Sequence, residues 1–509
     1  MLFELSDLPV PDFGLMAPQV IVFALAIALL MFDAFLDRAK HGTWLTGLSL
    51  LGYGAATVSL WWQDGRNEAT FYGLFRADGL TVFLSLTILI AALLTVTVSA
   101  SYVERLEGRM PIGEYYVLLA FSVLGALFVA AAGDLVMIFV GIELSALATY
   151  VLTAFAKRRL SAVEGAMKYF LLGIFASAIL VYGMAWIYGA TGSTNLDEIA
   201  FELNQATAGQ DSLEPSLLLA LLLLVVGLGF KMAAVPFHFW TPDAYDGAAT
   251  PVSAFMSVVP KAAAFAATIR ILVQALGPMN EDWLNLIAAL ALLTMAFGNI
   301  VAISQRNVKR MLAYSSIAHT GYMMVGLAAY QNTVVSDERA VTSLLFYILA
   351  YTFMNIGAFG VVAWIQHRGR GLTLDDFSGL ASTEPLAAAA MTVFLISLMG
   401  IPPTIGFYAK YYVIEAAIAS GAVGVGLAIA IVVLSAVSAF YYLRVVAVMY
   451  FNEPTRVPRR ASTPLLNVGL AAMVVATIVV GLFSSQVNNG LTERWVRALT
   501  VYGQVAVGE

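Results

Sequence analysis

The chain has 509 residues, 61% hydrophobic and 11% charged, with a formal net charge of −6. Soluble domains carry roughly 25% charged residues, and a water-soluble fold cannot hide this much apolar surface, so the sequence reads as a polytopic membrane protein. The acidic balance leaves no basic footprint for nucleic acid, and zero cysteines exclude disulfides, thiolate zinc sites and cysteine-ligated iron–sulfur clusters.

The opening "MLFELSDLPVPDFG" lacks the basic region of a signal peptide, so the first apolar segment is expected to remain as a membrane helix. A bilayer core needs about 20 apolar residues of helix. Such stretches centre near residues 26, 52, 90, 122, 144, 175, 226, 262, 293, 321, 351, 402, 435 and 474. The expectation is an all-α polytopic membrane protein of about fourteen transmembrane helices. The segments near 226 and 402 are interrupted by Pro236 and by Pro402-Pro403.

Basic residues give an independent check, because cytoplasmic loops hold the excess of lysine and arginine. With the N-terminus outside and sides alternating, inside loops hold 15 of the 26 basic residues, among them Lys309 and Arg310, against 5 outside. The other six, Lys168, Lys231, Lys261, Arg270, Lys410 and Arg444, fall within spans. Both termini are thus expected on the outside. The acidic outside segment at about 190–215 reads as an ordinary solvated loop.

Two stretches align at an offset of 178 residues, "KYFLLGIFASAILVYGMAWI" from Lys168 and "FYILAYTFMNIGAFGVVAWI" from Phe346. They fall five spans apart, and an odd separation places the copies in opposite orientations, the inverted arrangement of transporters. The proline-interrupted span follows one position later in each copy. Paired broken helices point to an ion site; the plainer alternative is that the prolines only kink packed helices. The organisation read from this is an N-terminal three-helix segment (1–110), a first five-helix repeat (111–280), a second, inverted five-helix repeat (281–455) and a C-terminal helix and tail (456–509).

Four ionisable residues lie near mid-span: Glu143, Lys231, Lys261 and Lys410. A charge at the centre of a membrane helix costs about 2.5–3.5 kcal/mol on insertion scales, and such residues mark proton relays or ion paths. The structural alternative is a charge paired within the bundle. Burial lowers a lysine's proton affinity and a nearby carboxylate restores it. Glu143 close to Lys231 would therefore act as a switch: paired, the lysine keeps its proton; separated, it becomes a better acid. Lys168, Arg270 and Arg444 sit nearer helix ends, where a long basic side chain can snorkel to the interface. His238 is a candidate to bridge Lys231 and Lys261 through water, or a packing histidine. His319 lies in the repeat counterpart of Glu143's span and is a further relay candidate. Asp243 and Asp246 are candidates for proton entry or ordinary turn and cap residues.

At these residues the sequence resembles a known family. "GFKMAAVPFHFWTPDAYDGAATPVSAFMSVVPKAAAF", "FVGIELSALATYVL", "EGAMKYFLLG", "KRMLAYSSIAHTGYMM" and "GIPPTIGFYAKYYVI" are similar to the subunit N family, antiporter-like membrane subunits of bacterial NADH-quinone oxidoreductase, the respiratory complex I. The stretch "PFHFWTPD" followed by the lysine-bearing span sets this family apart from its paralogues M and L. The resemblance implies a fourteen-helix subunit with inverted five-helix repeats and one proton channel. The family's glutamate matches Glu143, and its lysines match Lys231, Lys261 and Lys410, with Lys168, His238 and His319 as accessory relay candidates. It implies no cofactor in this chain, with FMN, iron–sulfur clusters, NADH and quinone handled by partner subunits. It also implies antiporter-like neighbours in the same complex and residence in a bacterial inner membrane with periplasmic termini. Two other readings stay open: a cation/proton antiporter subunit driven by an ion gradient, and a structural scaffold whose charges only lock helices together. Direct quinone binding between spans has no aromatic or histidine cluster to support it.

Overall fold

The computed structural model describes residues 11–35, 41–106, 112–207, 214–331, 334–454 and 463–496. The outermost residues of both termini, on which the expected orientation of the ends rests, lie outside these, as do Arg38, Lys40, Arg109, Arg456, Arg459, Arg460 and Arg497. Three helices come first, α1 (Ala17–Phe35), α2 (His41–Ser59) and α3 (Gly79–Leu106). Between α2 and α3 an antiparallel hairpin of β1 (Glu68–Thr70) and β2 (Phe75–Ala77) departs from the all-α expectation. Its turn uses positive φ at Phe71, Tyr72 and Gly73, and Arg76 N–H extends the pairing to the carbonyl of Ala131 at 2.8 Å.

Next come α4 (Ile112–Ala130), α5 (Leu135–Thr153), α6 (Leu160–Thr191), α7 (Leu196–Thr207), α8 (Pro215–Met232), α9 (Trp240–Gly247) and α10 (Thr250–Thr268), the last continued by a π-helical turn at Ile269–Ala275. After them run α11 (Asn280–Ser304), α12 (Val308–Ala328), α13 (Val334–His367), the single turn α14 (Leu380–Thr383), α15 (Pro385–Met399) and α16 (Ile405–Ala419). The chain closes with α17 (Ala422–Phe451), α18 (Pro464–Leu482) and α19 (Ser484–Leu491). Among the described residues, eleven segments are long and apolar enough to cross a membrane. The expected segments near 52, 321 and 402 contain the helices α2, α12 and the α15–α16 pair, which fall outside those eleven.

Burial sorts the spans. The most apolar windows of α10 and α13 are 94% and 89% buried, against 28% for α17 and 33% for α18. Hence α10 and α13 form the centre, and α3 packs along both of them. In a bilayer an apolar side chain has no need to be inside protein, so the exposed valines and isoleucines of α17, such as Ile429 and Val432, mark a face turned to lipid or a partner.

The acidic segment at about 190–215 is not the plain loop expected from its composition. Asn195 caps α7 by accepting from the backbone N–H of Asp197 at 3.0 Å. Leu196, Ile199 and Leu203 recur at helical spacing and are buried. Residues 208–213 of that segment lie outside the described ones.

Both proline-interrupted spans are broken. α8 stops at Met232 with Ala233 in the left-handed region (φ 63°), and α15 stops at Met399 with Gly400 at φ 90°. Glycine suits the second position doubly, because a Cβ there would also lie 2.9 Å from Cδ of Lys410. Each break frees carbonyls that side chains take up. Trp240 Nε1 donates to Phe230 O at 3.2 Å, and Thr320 Oγ1 donates to Met232 O at 3.0 Å. A proline inside α10, Pro260, likewise releases the carbonyl four residues earlier; that carbonyl, of Met256, accepts from Tyr245 Oη at 3.3 Å.

Candidate functional site

The three mid-span lysines lie at or beside these irregular backbones. Lys231 occupies the last turn of α8, and its Nζ donates to Glu143 Oε1 at 2.8 Å and to Ser177 Oγ at 2.9 Å. Ser177 Oγ in turn donates to Glu143 Oε1 at 2.5 Å. Three helices, α5, α6 and α8, thus meet in one polar triangle inside apolar surroundings. The side chains of Lys231 and Glu143 are 8% and 19% exposed. A buried pair of this kind holds its charges only by mutual neutralisation and hydrogen bonding.

Beside the triangle, a gap lined by Ser145, Tyr169, Lys231, Pro260 and Ala263 has room for about one water molecule. Pro260 precedes Lys261, so the gap lies between the two lysines' helices. Lys261 Nζ donates to Ser316 O at 2.8 Å and Ser316 Oγ at 2.6 Å, and lies 5.4 Å from the Tyr351 ring centroid. Its acceptors are neutral.

His319, one turn further along α12, is fully enclosed by hydroxyls and rings. Its Nδ1 shares a hydrogen bond with Tyr347 Oη at 2.8 Å, and its Nε2 lies 3.4 Å from Tyr442 Oη. The ring centroid is 5.2 Å from that of Tyr351 and 5.5 Å from that of Tyr322. Tyr322 continues the line, with its ring 4.7 Å from Lys410 Nζ. Lys410 donates to Met399 O at 2.9 Å and to Ser435 Oγ at 2.9 Å. Its ammonium therefore caps the carbonyl end of α15, where the helix dipole favours positive charge. A cation over an aromatic face contributes further.

The other expected residues are placed differently. Lys168 is largely exposed and bonds Glu164 at 2.6 Å and Asp243 at 2.8 Å, away from the Lys231 triangle. Asp243 also receives Arg310 at 2.8 Å. Burial alone would raise the Asp243 carboxyl, but Lys168 and Arg310 outweigh it and hold the group below its ordinary value. His238 is wedged between Phe239 and Phe297, with ring centroids 4.8 and 4.5 Å away, and its Nδ1 has no hydrogen-bond partner among the described residues.

Arg270 corrects the expectation of snorkelling. It is fully buried and makes a bidentate pair with Asp78 at 2.5 and 2.8 Å, supported by Thr81 Oγ1, Ala130 O and Gln274 Oε1. Lys309, counted among inside loop residues, is also fully buried. Arg444 donates to the carbonyls of Ile303 and Gln305 at 2.9 and 2.6 Å. The serines and tyrosines that complete the line, Ser177, Ser316, Ser435, Tyr322, Tyr347 and Tyr442, escape sequence reading. Their one hint is a hydroxyl within a helix otherwise apolar.

Residues 132–479 match the family described as "NADH:quinone oxidoreductase/Mrp antiporter, TM". NADH-quinone oxidoreductase subunit N of Trichlorobacter lovleyi is 43% identical over 444 residues, covering 87% of this chain and 88% of its own. The chain belongs to the subunit N family of NADH-quinone oxidoreductase. The subunit N of Chloroflexus aggregans is 42% identical over 490 residues, 94% of this chain and 96% of its own. Among solved structures, a chain of respiratory complex I from Thermus thermophilus with bound aureothin matches with a TM-score of 0.75 at 33% identity, covering 93% of this chain and 99% of its own. A chain of the Mrp complex from Dietzia sp. DQ12-45-1b, 24% identical with a TM-score of 0.80 over 98% of this chain and 100% of its own, shares the fold. Within the chain, "FVGIEL" holds Glu143, "GFKMAAVP" holds Lys231, and "GFYAKYY" holds Lys410.

Proposed function

We propose that this chain moves protons across the membrane as subunit N of a bacterial NADH-quinone oxidoreductase, through a line of buried ionisable groups. The single observation that carries the reading is the Lys231–Glu143 pair at 2.8 Å, set at the broken end of α8 and bridged by Ser177. Loosening that pair turns Lys231 from a held cation into a proton donor. From Lys231 the proton passes by the water gap to Lys261, then along the His319 and tyrosine hydroxyls to Lys410 and outward. Lys168 and His238 contribute at the edge of this line rather than within it.

In the same reading the chain crosses the membrane fourteen times, as α1 to α6, α8, α10 to α13, the α15–α16 pair, α17 and α18, with inverted repeats around the two breaks and periplasmic termini. Redox chemistry, with FMN, iron–sulfur clusters, NADH and quinone, belongs to partner subunits. Antiporter-like neighbours share the inner membrane with it.

The test uses membranes carrying Lys231→Ala in a complex first checked for assembly. NADH-driven quinone reduction and proton uptake into vesicles are then followed together. Both are expected to fall about tenfold or more, equal to at least about 1.4 kcal/mol on the rate-limiting barrier. An assembled variant with normal rates and proton yield would leave the pair a structural lock. An antiporter driven by an ion gradient would instead keep proton exchange after the redox partners are removed.

A further inference from the structure

α12 carries a buried lysine that the relay does not use. Lys309 lies in its first turn and is fully buried. Its Nζ donates to Asp246 O at 3.2 Å and to Ala248 O, the last turn and the C-cap of α9. The final carbonyls of a helix lack partners within it and carry the negative end of its dipole, so an ammonium there satisfies both. Lys410 treats the end of α15 in the same way.

Lys309, Ser316 and Thr320 follow one another at spacings of seven and four and so share one face of α12. On that face Lys309 takes the end of α9, Ser316 takes the ammonium of Lys261, and Thr320 takes Met232 O. The stretch joining the two relay lysines is therefore gripped near both of its ends by one helix. α9 is also pressed against α6. A Cβ at Gly165 would lie 2.5 Å from Asp243 O, and one at Gly247 would lie 2.2 Å from Ser161 O.

What α9 carries explains why its position matters. Trp240 stacks on Tyr169 at 4.1 Å and bonds Phe230 O, the carbonyl one residue before Lys231. Tyr245 bonds Met256 O, the carbonyl that Pro260 releases beside Lys261. We propose that Lys309 is a positioning residue of the relay: its ammonium pins α9 between α6 and α12 and so sets Trp240 and Tyr245 against the helices of Lys231 and Lys261. The proposal rests on the proton-relay reading. It asks for a fixed charge and donors, not for a proton that leaves. Arginine, always charged and rich in donors, can serve at this place; methionine, similar in length and neutral, cannot.

The experiment measures two quantities on the assembled complex in membranes: proton uptake driven by NADH, and amide hydrogen exchange of peptides covering residues 238–249. Lys309→Met is expected to speed exchange there about tenfold, because opening a local segment exposes its amides, and to lower proton uptake about tenfold. Lys309→Arg restores both to within about twofold of the parent. If Lys309→Met does not assemble, Lys309→Gln, which keeps donors without charge, is measured instead and is expected to raise exchange about threefold. Unchanged exchange in the neutral variant overturns the proposal. So does an arginine variant with normal exchange and lost proton uptake, because Lys309 would then be a carrier itself. Lys231→Ala measured in parallel separates the two readings. Its normal proton yield would remove the relay, while the exchange result still decides whether Lys309 holds α9.

Discussion

The two broken helices each hold a lysine, and the two lysines are neutralised in different ways. Around the first break Lys231 bonds a carboxylate, Glu143, directly, and Ser177 bonds both. Around the second Lys410 faces a helix-end carbonyl and a hydroxyl, with an aromatic ring over its ammonium. Beside Lys231 stands Glu143 on α5; along the line toward Lys410 stands His319 on α12, a group that is neutral or cationic but never anionic. A carboxylate holds a lysine's proton firmly; carbonyls and rings hold it loosely. In the proposed relay, the difference suits Lys231 to keep a proton and Lys410 to let it go.

Several substitutions break or sharpen that contrast. The largest effect is expected from Glu143→Gln, which leaves the Lys231 charge buried without its counter-ion. Removing one member of a buried pair costs about 3–5 kcal/mol, and proton uptake in assembled membranes should fall by about tenfold or more. Ser435→Asp makes the second half imitate the first. It should fix the proton on Lys410 and slow uptake about tenfold, while quinone reduction falls in step and assembly holds. A normal rate in this variant would mean that Lys410 does not release a proton during turnover.

Smaller changes touch hydroxyls. Ser316→Ala removes one of two acceptors of Lys261 and leaves the carbonyl, so a loss of about 1 kcal/mol in hydrogen bonding is expected, read as a roughly fivefold slower uptake. The smallest effect concerns Asp243. Asp243 is held below its ordinary value, so its ion pairs are present above the unfolded carboxylate value of about 3.9 and are lost only as pH falls through the lower folded value. Between pH 8 and 5 the cluster with Lys168 and Arg310 stays charged. Asp243→Asn should therefore change the rate by about twofold or less at every pH in that window, and the shape of the pH profile should not move.

The sequence made the breaks and the isolated charges legible for a physical reason. A proline in an apolar span and a charge at mid-depth are both expensive in lipid, so each stands out against its neighbours. Ser177, Ser316 and Ser435 do not stand out, because a hydroxyl can satisfy itself on its own helix, as Ser257 does on Ala254 O. Whether such a group serves a lysine depends on which helix packs against it. Arg270 and Lys309 were hidden by the opposite problem. Nearness to a span's end reads as access to water, yet a neighbouring helix covers both. α7 was masked by acidity, since Asp197, Glu198 and Glu202 conceal the apolar stripe of Leu196, Ile199 and Leu203.

The Arg270–Asp78 pair has a bearing on how small such a subunit can become. Asp78 and Thr81 stand at the start of α3, among the leading three helices, while Arg270 belongs to the π-helical turn after the Lys261 helix. Trimming the chain back to residue 111 would strip Arg270 of its carboxylate and leave its guanidinium with only the neutral oxygens of Ala130 and Gln274. That penalty, about 3–5 kcal/mol, approaches the whole folding margin of a typical domain, about 5–15 kcal/mol. The leading helices are thus a built-in counter-ion for the rest, and a pared-down version of this subunit becomes reachable only after position 270 has first been made neutral.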